Sequence, residues 1–367
     1  MTSETRRAIV KAGVVGAVAA LAPAARRGAA DPRSPEGDTA QGPRTVELPG
    51  FVDLQVNGFG GVDFTDPALT PERVLQAVAA IEKTGVTRFL PTLITSSLET
   101  FAASARAVVR TKHPAILGIH MEGPYISPED GPRGAHSREF VRAADVDDFR
   151  RRQEAAEGRI VIVTVAPEVP GVLPLIEHLV SNKVRAAIGH TGATGPHIAD
   201  AVKAGATMST HLGNGCANML PRHPNVIWEQ LGEDRLLASF IVDGHHLPPA
   251  TVKAMIRAKT PARTILVTDA VGAAGMPPGR YTLGGQLVEL SPTGRVAAPG
   301  APNLAGSALR LDVAIGNTVR FTGLPLEDVV PMASTRPAEY VRIPTAGKVV
   351  AEWDPAAFAL RIERVTT

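Results

Sequence analysis

From Val46 onward, short apolar or β-branched runs recur along the chain. They are Phe51–Val56, Thr87–Ile94, Ile116–Met121, Ile160–Ala166, Val184–Gly189, Thr207–His211, Leu236–Val242 and Thr264–Thr268. Between them lie amphipathic stretches in which apolar residues return every three or four positions, such as Pro71–Thr84, Leu98–Arg110, Gly171–Asn182, Pro196–Ala204 and Pro248–Ala258. The first pattern predicts strands and the second helices. Thr70-Pro71-Glu72 adds a helix start, with a Thr cap ahead of a proline in the first turn. Strands alternating with helices imply parallel pairing through right-handed crossovers. Eight such units over roughly 270 residues predict an α/β fold, a (β/α)8 TIM-type barrel. The architectural alternative is a doubly wound open sheet. No Gly-x-Gly-x-x-Gly follows a strand and opens a helix, which weakens a dinucleotide-binding reading. Residues Pro277–Pro302 read as a hairpin-bearing excursion after the eighth strand. Two further helices, Ala308–Thr322 and Leu326–Tyr340, close the barrel, and Lys348–Val365 adds one or two peripheral strands.

The first 45 residues follow no such pattern. Arg6, Arg7 and Lys11 precede a charge-free stretch from Ala12 to Ala25, and Arg26-Arg27 follow it. Such a stretch is too short for a bilayer, which takes about 20 apolar residues. A basic start, a short apolar run and small residues match a secretory signal, and the paired arginines resemble the twin-arginine kind. A start codon read too far upstream, or a basic tail, is the plainer alternative. The expected organisation is a signal over 1–30, a Pro-rich linker over 31–45, the barrel over 46–345 and a tail over 346–367. Export is expected if the leader functions and a cytoplasmic location otherwise.

Composition narrows the function. With 44% hydrophobic residues there is material for a large core, and one cysteine, Cys216, excludes an internal disulfide. Aromatic residues are only 4%, too few for the stacking platforms of single-strand nucleic-acid binders. Seven of the 38 Lys and Arg residues and five of the 36 Asp and Glu residues lie in the first fifty positions, leaving 31 of each beyond. The body of the chain is thus formally neutral. No nucleic-acid partner and no stable membrane span are expected, and an anionic substrate must be drawn in by the local site.

The polar residues that can do chemistry gather at strand ends. They are Asp53 to Gly58, His120-Met121-Glu122-Gly123-Pro124, Gly189-His190-Thr191, Thr210-His211-Leu212-Gly213-Asn214, Asp243-Gly244-His245-His246 and Thr268-Asp269-Ala270. In a barrel these ends share one face, the face that carries catalysis. A single His there is more often a hydrogen-bonded structural residue than a ligand, and a single Asp is often a helix cap. Convergence changes this reading. One Glu and two His from three strands supply the three protein ligands of an open catalytic metal site. An Asp on a fourth strand can take a proton from the metal's water, whose pKa falls toward 7.

These stretches resemble the amidohydrolase superfamily, and within it the N-acetylglucosamine-6-phosphate deacetylase family. Pro49 to Gly58, His120 to Pro124, Gly189-His190-Thr191-Gly192-Ala193-Thr194, Thr210 to Asn214, Asp243 to His246, Val267 to Ala270 and Leu304-Ala305-Gly306-Ser307 stand in that family's order over about residues 46–345. The resemblance implies that Glu122, His190 and His211 hold one divalent metal, zinc or iron. Asp269 would be base and then acid, and His246 would polarise the acetyl carbonyl or hold the sugar. Ala135 and His136 would contact substrate, as would Asp243, Gly244 and His245. Asn214, the backbone of Gly215, and Arg222 would grip a phosphate, a role that suits the bidentate guanidinium. Leu304, Ala305 and Gly306 would line the sugar site. The implied reaction releases acetate and a free amino sugar. Family members are often dimers, so the resemblance also implies a homodimer.

The chain departs from the pattern in four places. Gln55-Val56-Asn57 stands where many superfamily members carry His-x-His, so one metal per chain is expected. Only Arg44–Leu48 precedes the first barrel strand, so most of the family's β-sandwich is expected to be missing. The loop Leu212 to Asn218 is richer in glycine than usual. Cys216 within it reads as a small buried hydrophobe. The export signal also conflicts with an intracellular sugar phosphate. Another amidohydrolase reaction, on a cyclic amide or by deamination, and a non-catalytic sugar-binding relic are the competing readings. Arg222 and Asn214 favour a phosphorylated sugar over a nucleobase.

Overall fold

The computed structural model describes residues 42–367 except 284, 285 and 302. The leader and the linker up to residue 41 lie outside the described residues. The chain opens with β1 (Arg44–Pro49), β2 (Phe51–Val56), β3 (Gly58–Phe59) and β4 (Val62–Asp63). Then come α1 (Pro71–Glu82), β5 (Val86–Ile94), α2 (Leu98–Thr111), β6 (Ile119–Glu122), α3 (Val146–Ala155), β7 (Ile160–Val165), α4 (Val172–Ser181) and β8 (Arg185–Ile188). α5 (Gly195–Ala204), β9 (Met208–Ser209), α6 (Val226–Gly232), β10 (Leu237–Phe240), α7 (Pro249–Lys259) and β11 (Thr264–Leu266) complete the alternation.

The eight parallel strands run β2-β5-β6-β7-β8-β9-β10-β11. The two ends meet just past β11. Ala270 bridges Val56 in parallel, and its carbonyl accepts from the amides of Asn57 and Gly58 at 2.7 and 2.9 Å. The sheet therefore closes into the expected barrel. Each of the eight apolar runs coincides with one strand to within a few residues. β6 and β9 are shorter than their runs, because Gly118 interrupts one and His211 leaves the other with φ 32°.

Two helices were not anticipated. α6 is short. α3 buries Asp148, Phe149 and Arg152, so its inner face is largely an ion pair and not an apolar stripe. Arg152 Nε donates to Asp148 Oδ2 at 2.9 Å, and the Tyr125 hydroxyl donates to the same oxygen at 2.8 Å. Helix-period reading looks for apolar residues and passes over such a face.

After the barrel, β12 (Gly279–Leu283), β13 (Gln286–Leu290) and β14 (Val296–Ala297) form the expected excursion as a three-stranded antiparallel sheet. α8 (Leu311–Thr322) matches its expectation. The second closing helix is instead broken into α9 (Leu326–Val329), a 3-10 turn over Val330–Ala333 and α10 (Thr335–Tyr340). Pro331 and Pro337 have no amide hydrogen to donate back along the helix, which accounts for the breaks.

β15 (Lys348–Asp354) and β16 (Ala359–Thr366) pair antiparallel, and β1 joins on the other side of β15. β1 begins at Arg44, two residues inside the segment expected to be linker. This sheet docks on the barrel through α8. A Cβ on Gly316 of α8 would lie 2.1 Å from the Phe358 carbonyl in the β15–β16 turn, so only glycine allows that approach. Val349, Ala351 and Trp353 of β15 are fully buried in the main core. Among the described residues no helix is long and apolar enough to cross a membrane. Trp353→Ala should cost about 3–5 kcal/mol, measured by chemical denaturation; a loss under about 1 kcal/mol would show that the small sheet adds nothing to the main core.

Candidate metal centre at the barrel mouth

Glu122 ends β6, and the residue is 2% exposed. One oxygen, Oε1, collects three neighbours. Gln55 Nε2 donates to it at 2.8 Å, His211 Nε2 lies at 2.9 Å and His190 Nε2 at 3.2 Å. The two imidazole Nε2 atoms are 3.1 Å apart. Donors bound at ~2.0–2.1 Å around one tetrahedral ion stand roughly 3.3 Å from each other. The triangle seen here is close to that size.

The proton inventory points the same way. His190 Nδ1 is 2.9 Å from the Pro132 carbonyl, which can only accept. Nδ1 therefore carries the proton, and a neutral ring turns a bare lone pair at Nε2 toward Glu122 and His211. Lone pairs and a carboxylate converging at 3 Å repel unless a cation lies among them. A histidine whose other nitrogen donates to a backbone carbonyl is also the usual arrangement of a metal ligand. The donor set thus fits a divalent ion. Burial works against charging His211, yet the Glu122 carboxylate outweighs it and holds the imidazole above its ordinary value. Without an ion, protons at Nε2 take its place: burial works against Glu122 too, yet hydrogen bonds from His190 and His211 then hold its carboxyl well below the usual range.

His136 is also at this centre. Glu122, His136 and His190 offer ligand atoms all within 4.8 Å of one another. The His136 to Glu122 separation is 3.8 Å, however, and its Nδ1 is engaged by Thr95 Oγ1 at 2.8 Å. His211 lies closer to Glu122, at 2.9 Å, and its Nε2 meets that of His190 at 3.1 Å, so the triangle of Glu122, His190 and His211 is the better ligand set, although the His136 ring packs edge-on to His190 with centroids 4.2 Å apart. Burial pushes His136 down to about 3, so it is neutral at working pH.

Asp269 follows β11 and faces the same centre. Its Oδ1 accepts from Asn57 Nδ2 at 2.6 Å and Gln55 Nε2 at 3.0 Å. Burial, and then the charge of Glu122, raise its carboxyl above the usual range. The two amides at the end of β2 therefore hold carboxylates. Gln55 spans both Glu122 and Asp269. His190, His211 and Asp269 have φ of 50°, 32° and 49°, a left-handed backbone that costs non-glycine residues of order 1–3 kcal/mol each. At each, the chain leaves its strand abruptly at the barrel mouth.

Further out, Asp243 Oδ2 accepts from His246 Nδ1 at 2.6 Å, and its Oδ1 accepts the amides of His245 and His246 at 2.8 Å each. Burial opposes ionisation of Asp243, but these hydrogen bonds prevail and lower its value. His245 Nε2 meets the Thr293 carbonyl at 2.8 Å, tying this loop to the excursion. The Asn214 side chain donates to the His211 carbonyl at 3.2 Å, so it shapes the ligand loop. Gly215 has φ 58°, and a Cβ there would sit 2.9 Å from His190 Nδ1. Gly134 packs on the same ring, where an added Cβ would fall 3.2 Å from Cε1. Ala135, beside it, is exposed, as are Gly244 and Arg222. Leu304, Ala305 and Gly306 run past Val271. The Ala305 amide is taken by the Val296 carbonyl at 3.0 Å, which leaves it unable to serve substrate. Cys216 is half-buried, and burial raises its thiol.

The sequence placed Asp53 among the polar strand-end residues without a role, and assigned no partners to Gln55, Asn57 or Thr95. Gln55 and Asn57 were visible as amides in a position that superfamily members fill with ligands. Thr95 carried no signal. Asp53 is buried below the site, accepting from Thr268 Oγ1 at 2.6 Å. Burial pushes its carboxyl up to about 7 against that hydrogen bond. In the metal-free protein Asp53 thus holds its proton to higher pH when folded than when unfolded. Its contribution to stability is complete below about 4 and is lost as pH rises to about 7. Urea midpoints measured across this window should fall with rising pH, and Asp53→Asn should flatten that slope.

The amidohydrolase family matches residues 46–360. N-acetylglucosamine-6-phosphate deacetylase of Bacillus subtilis (strain 168) is 33% identical over 321 residues, covering 85% of this chain and 80% of that protein. N-acetylgalactosamine-6-phosphate deacetylase of Escherichia coli O157:H7 is 33% identical over 307 residues, covering 82% and 80%. The crystal structure of N-acetyl-D-glucosamine-6-phosphate deacetylase from Mycobacterium smegmatis superposes with a TM-score of 0.81 at 32% identity, over 88% of this chain and 86% of that one.

Proposed function

The chain belongs to the amidohydrolase family, and from that premise we propose that it is a metal-dependent deacetylase. It hydrolyses the N-acetyl amide of a hexosamine 6-phosphate, N-acetylglucosamine 6-phosphate foremost, to acetate and the free amine. The observation that carries this reading is the triangle of Glu122, His190 and His211 with Asp269 beside it. The deacetylase relatives supply the substrate class.

Glu122, His190 and His211 would hold one divalent ion, zinc or iron. Such an ion, when bound, would supply an acidified water and a Lewis acid for the acetyl carbonyl. Asp269 takes the proton of the attacking water at its carboxylate and delivers it to the nitrogen as the C–N bond breaks. Gln55 and Asn57 fix Asp269 Oδ1, so the carboxylate cannot swing away between the two transfers. His246, anchored at Nδ1 by Asp243, turns its Nε2 edge to substrate. Nε2 accepts from a sugar hydroxyl when neutral and donates to the acetyl carbonyl when protonated. Burial of Glu122, His136 and His211 keeps bulk water from screening these charges. Arg222, exposed, is free to meet the phosphate bidentately.

Two measurements test this. Asp269→Asn should lower turnover by about 10²–10⁴-fold while elemental analysis still finds one ion per chain; unchanged activity would refute the role of Asp269, and two tightly held ions would refute the single centre. Acetate release should be faster from N-acetylglucosamine 6-phosphate than from N-acetylglucosamine, and Arg222→Ala should cut the first rate far more than the second. Equal losses would argue against phosphate recognition.

A further inference from the structure

Directly beneath the centre, a chain of hydrogen bonds crosses the barrel interior. His120 lies two residues before Glu122 on β6, so both side chains point inward one layer apart. His120 Nδ1 is 3.0 Å from the Leu54 carbonyl of β2, and its Nε2 is 2.8 Å from Thr164 Oγ1 of β7. Thr164 Oγ1 is in turn 2.8 Å from Thr210 Oγ1, just past β9. His120, Thr164 and Thr210 are all buried. β8 lies between β7 and β9, so a side chain would be expected to separate the two threonines. The residue there is Gly189, and a Cβ on it would fall 2.8 Å from Thr164 Cγ2 and 2.8 Å from Thr210 Cβ. Gly189 does not adopt a positive φ. Its lack of a side chain serves this contact and not a turn.

We infer that Thr210, Thr164 and His120 form a directional relay that sets the spacing of the metal-ligand strands, and that His120 is its positioning residue. The direction follows from the ends. A backbone carbonyl only accepts, so Nδ1 of a neutral His120 carries the proton. Nε2 then accepts from the Thr164 hydroxyl. That hydroxyl has spent its hydrogen, so it accepts from Thr210. The four anchor points adjoin the site residues. Leu54 precedes Gln55, His120 shares a strand face with Glu122, Thr164 pairs with Glu122 across β6–β7, and Thr210 precedes His211. Gly189, over which the relay passes, precedes His190. Of the groups that converge on Glu122 Oε1, Gln55 and His211 thus directly follow a link in the relay, and His190 follows the glycine over which it passes.

The inference rests on the ligand reading for its functional consequence, but the relay has a signature of its own. In metal-free wild-type protein with 15N-labelled histidine, His120, assigned by the loss of its signals in His120→Gln, should show the Nδ1–H tautomer. The Nε2–H tautomer would overturn the relay. Thr164→Val and Thr210→Val keep the side-chain shape and remove the hydroxyls. Each should speed metal loss to a chelator and lower kcat by about 10–100-fold, with KM within about twofold. The double variant should be no worse than the stronger single. Unchanged kinetics in either single, or losses that multiply in the double, would overturn the proposal. If wild-type protein holds no divalent ion, the ligand reading fails. The tautomer still judges the relay, as do urea unfolding midpoints of the metal-free variants. Thr164→Val and Thr210→Val should each lower the midpoint, and the double variant should fall no further than the stronger single, whereas additive losses would overturn the relay.

Discussion

A carboxylate removed from water is costly unless donors or a cation match its charge. Glu122 is in that position, and the architecture around it follows from the need to match it. Gln55 from the first barrel strand, His190 from the fifth and His211 from the sixth reach the same oxygen. No segment of helix or sheet could bring these together locally. Only a closed barrel brings the ends of strands so far apart in sequence to within 3 Å of a common point.

Around that point the chain accepts local strain. His190, His211 and Asp269 all take a left-handed backbone, and glycines crowd where side chains would interfere. Gly134 and Gly215 press against the His190 ring, and Gly189 opens the interior. The surrounding core over-determines these conformations: β2, β6 and β7 are buried along almost their whole length. A rigid lower barrel thus holds a strained upper rim, the usual division of labour in this fold. The amides at the end of β2 show how one scaffold is adapted. There Gln55 donates to both Glu122 and Asp269, and Asn57 donates to Asp269. These amides bind the two carboxylates into one arrangement.

Much of this was legible in the residues. The eight strands came from apolar runs bounded by polar strand ends, and most helices from apolar periodicity. Glu122, His190, His211 and Asp269 stood out because each ends or directly follows such a run. α3 was not legible, because Asp148 and Arg152 bury a salt bridge where an apolar stripe is looked for. The break in the last helix followed from Pro331 and Pro337, which the periodicity of the surrounding residues masked. Thr95 gave no pattern, and Asp53 was visible only as one polar residue of a strand end, since their importance lies in partners 41 and 215 residues away.

The sequence by itself determined the order of elements and the residue types at the strand ends, because both are encoded in local spacing. It also determined that the net charge lies in the first fifty residues, so the barrel draws an anion only through its site. Tertiary structure alone decided which nitrogen of His190 carries the proton. It decided that Gln55 serves two carboxylates, that Asn214 braces a loop, and that β1 joins the C-terminal strands into one sheet. The physical reason is the same in each case. Hydrogen bonds and charge interactions act over 3 Å of space, and separation along the chain does not record which groups closure of the barrel will bring that near.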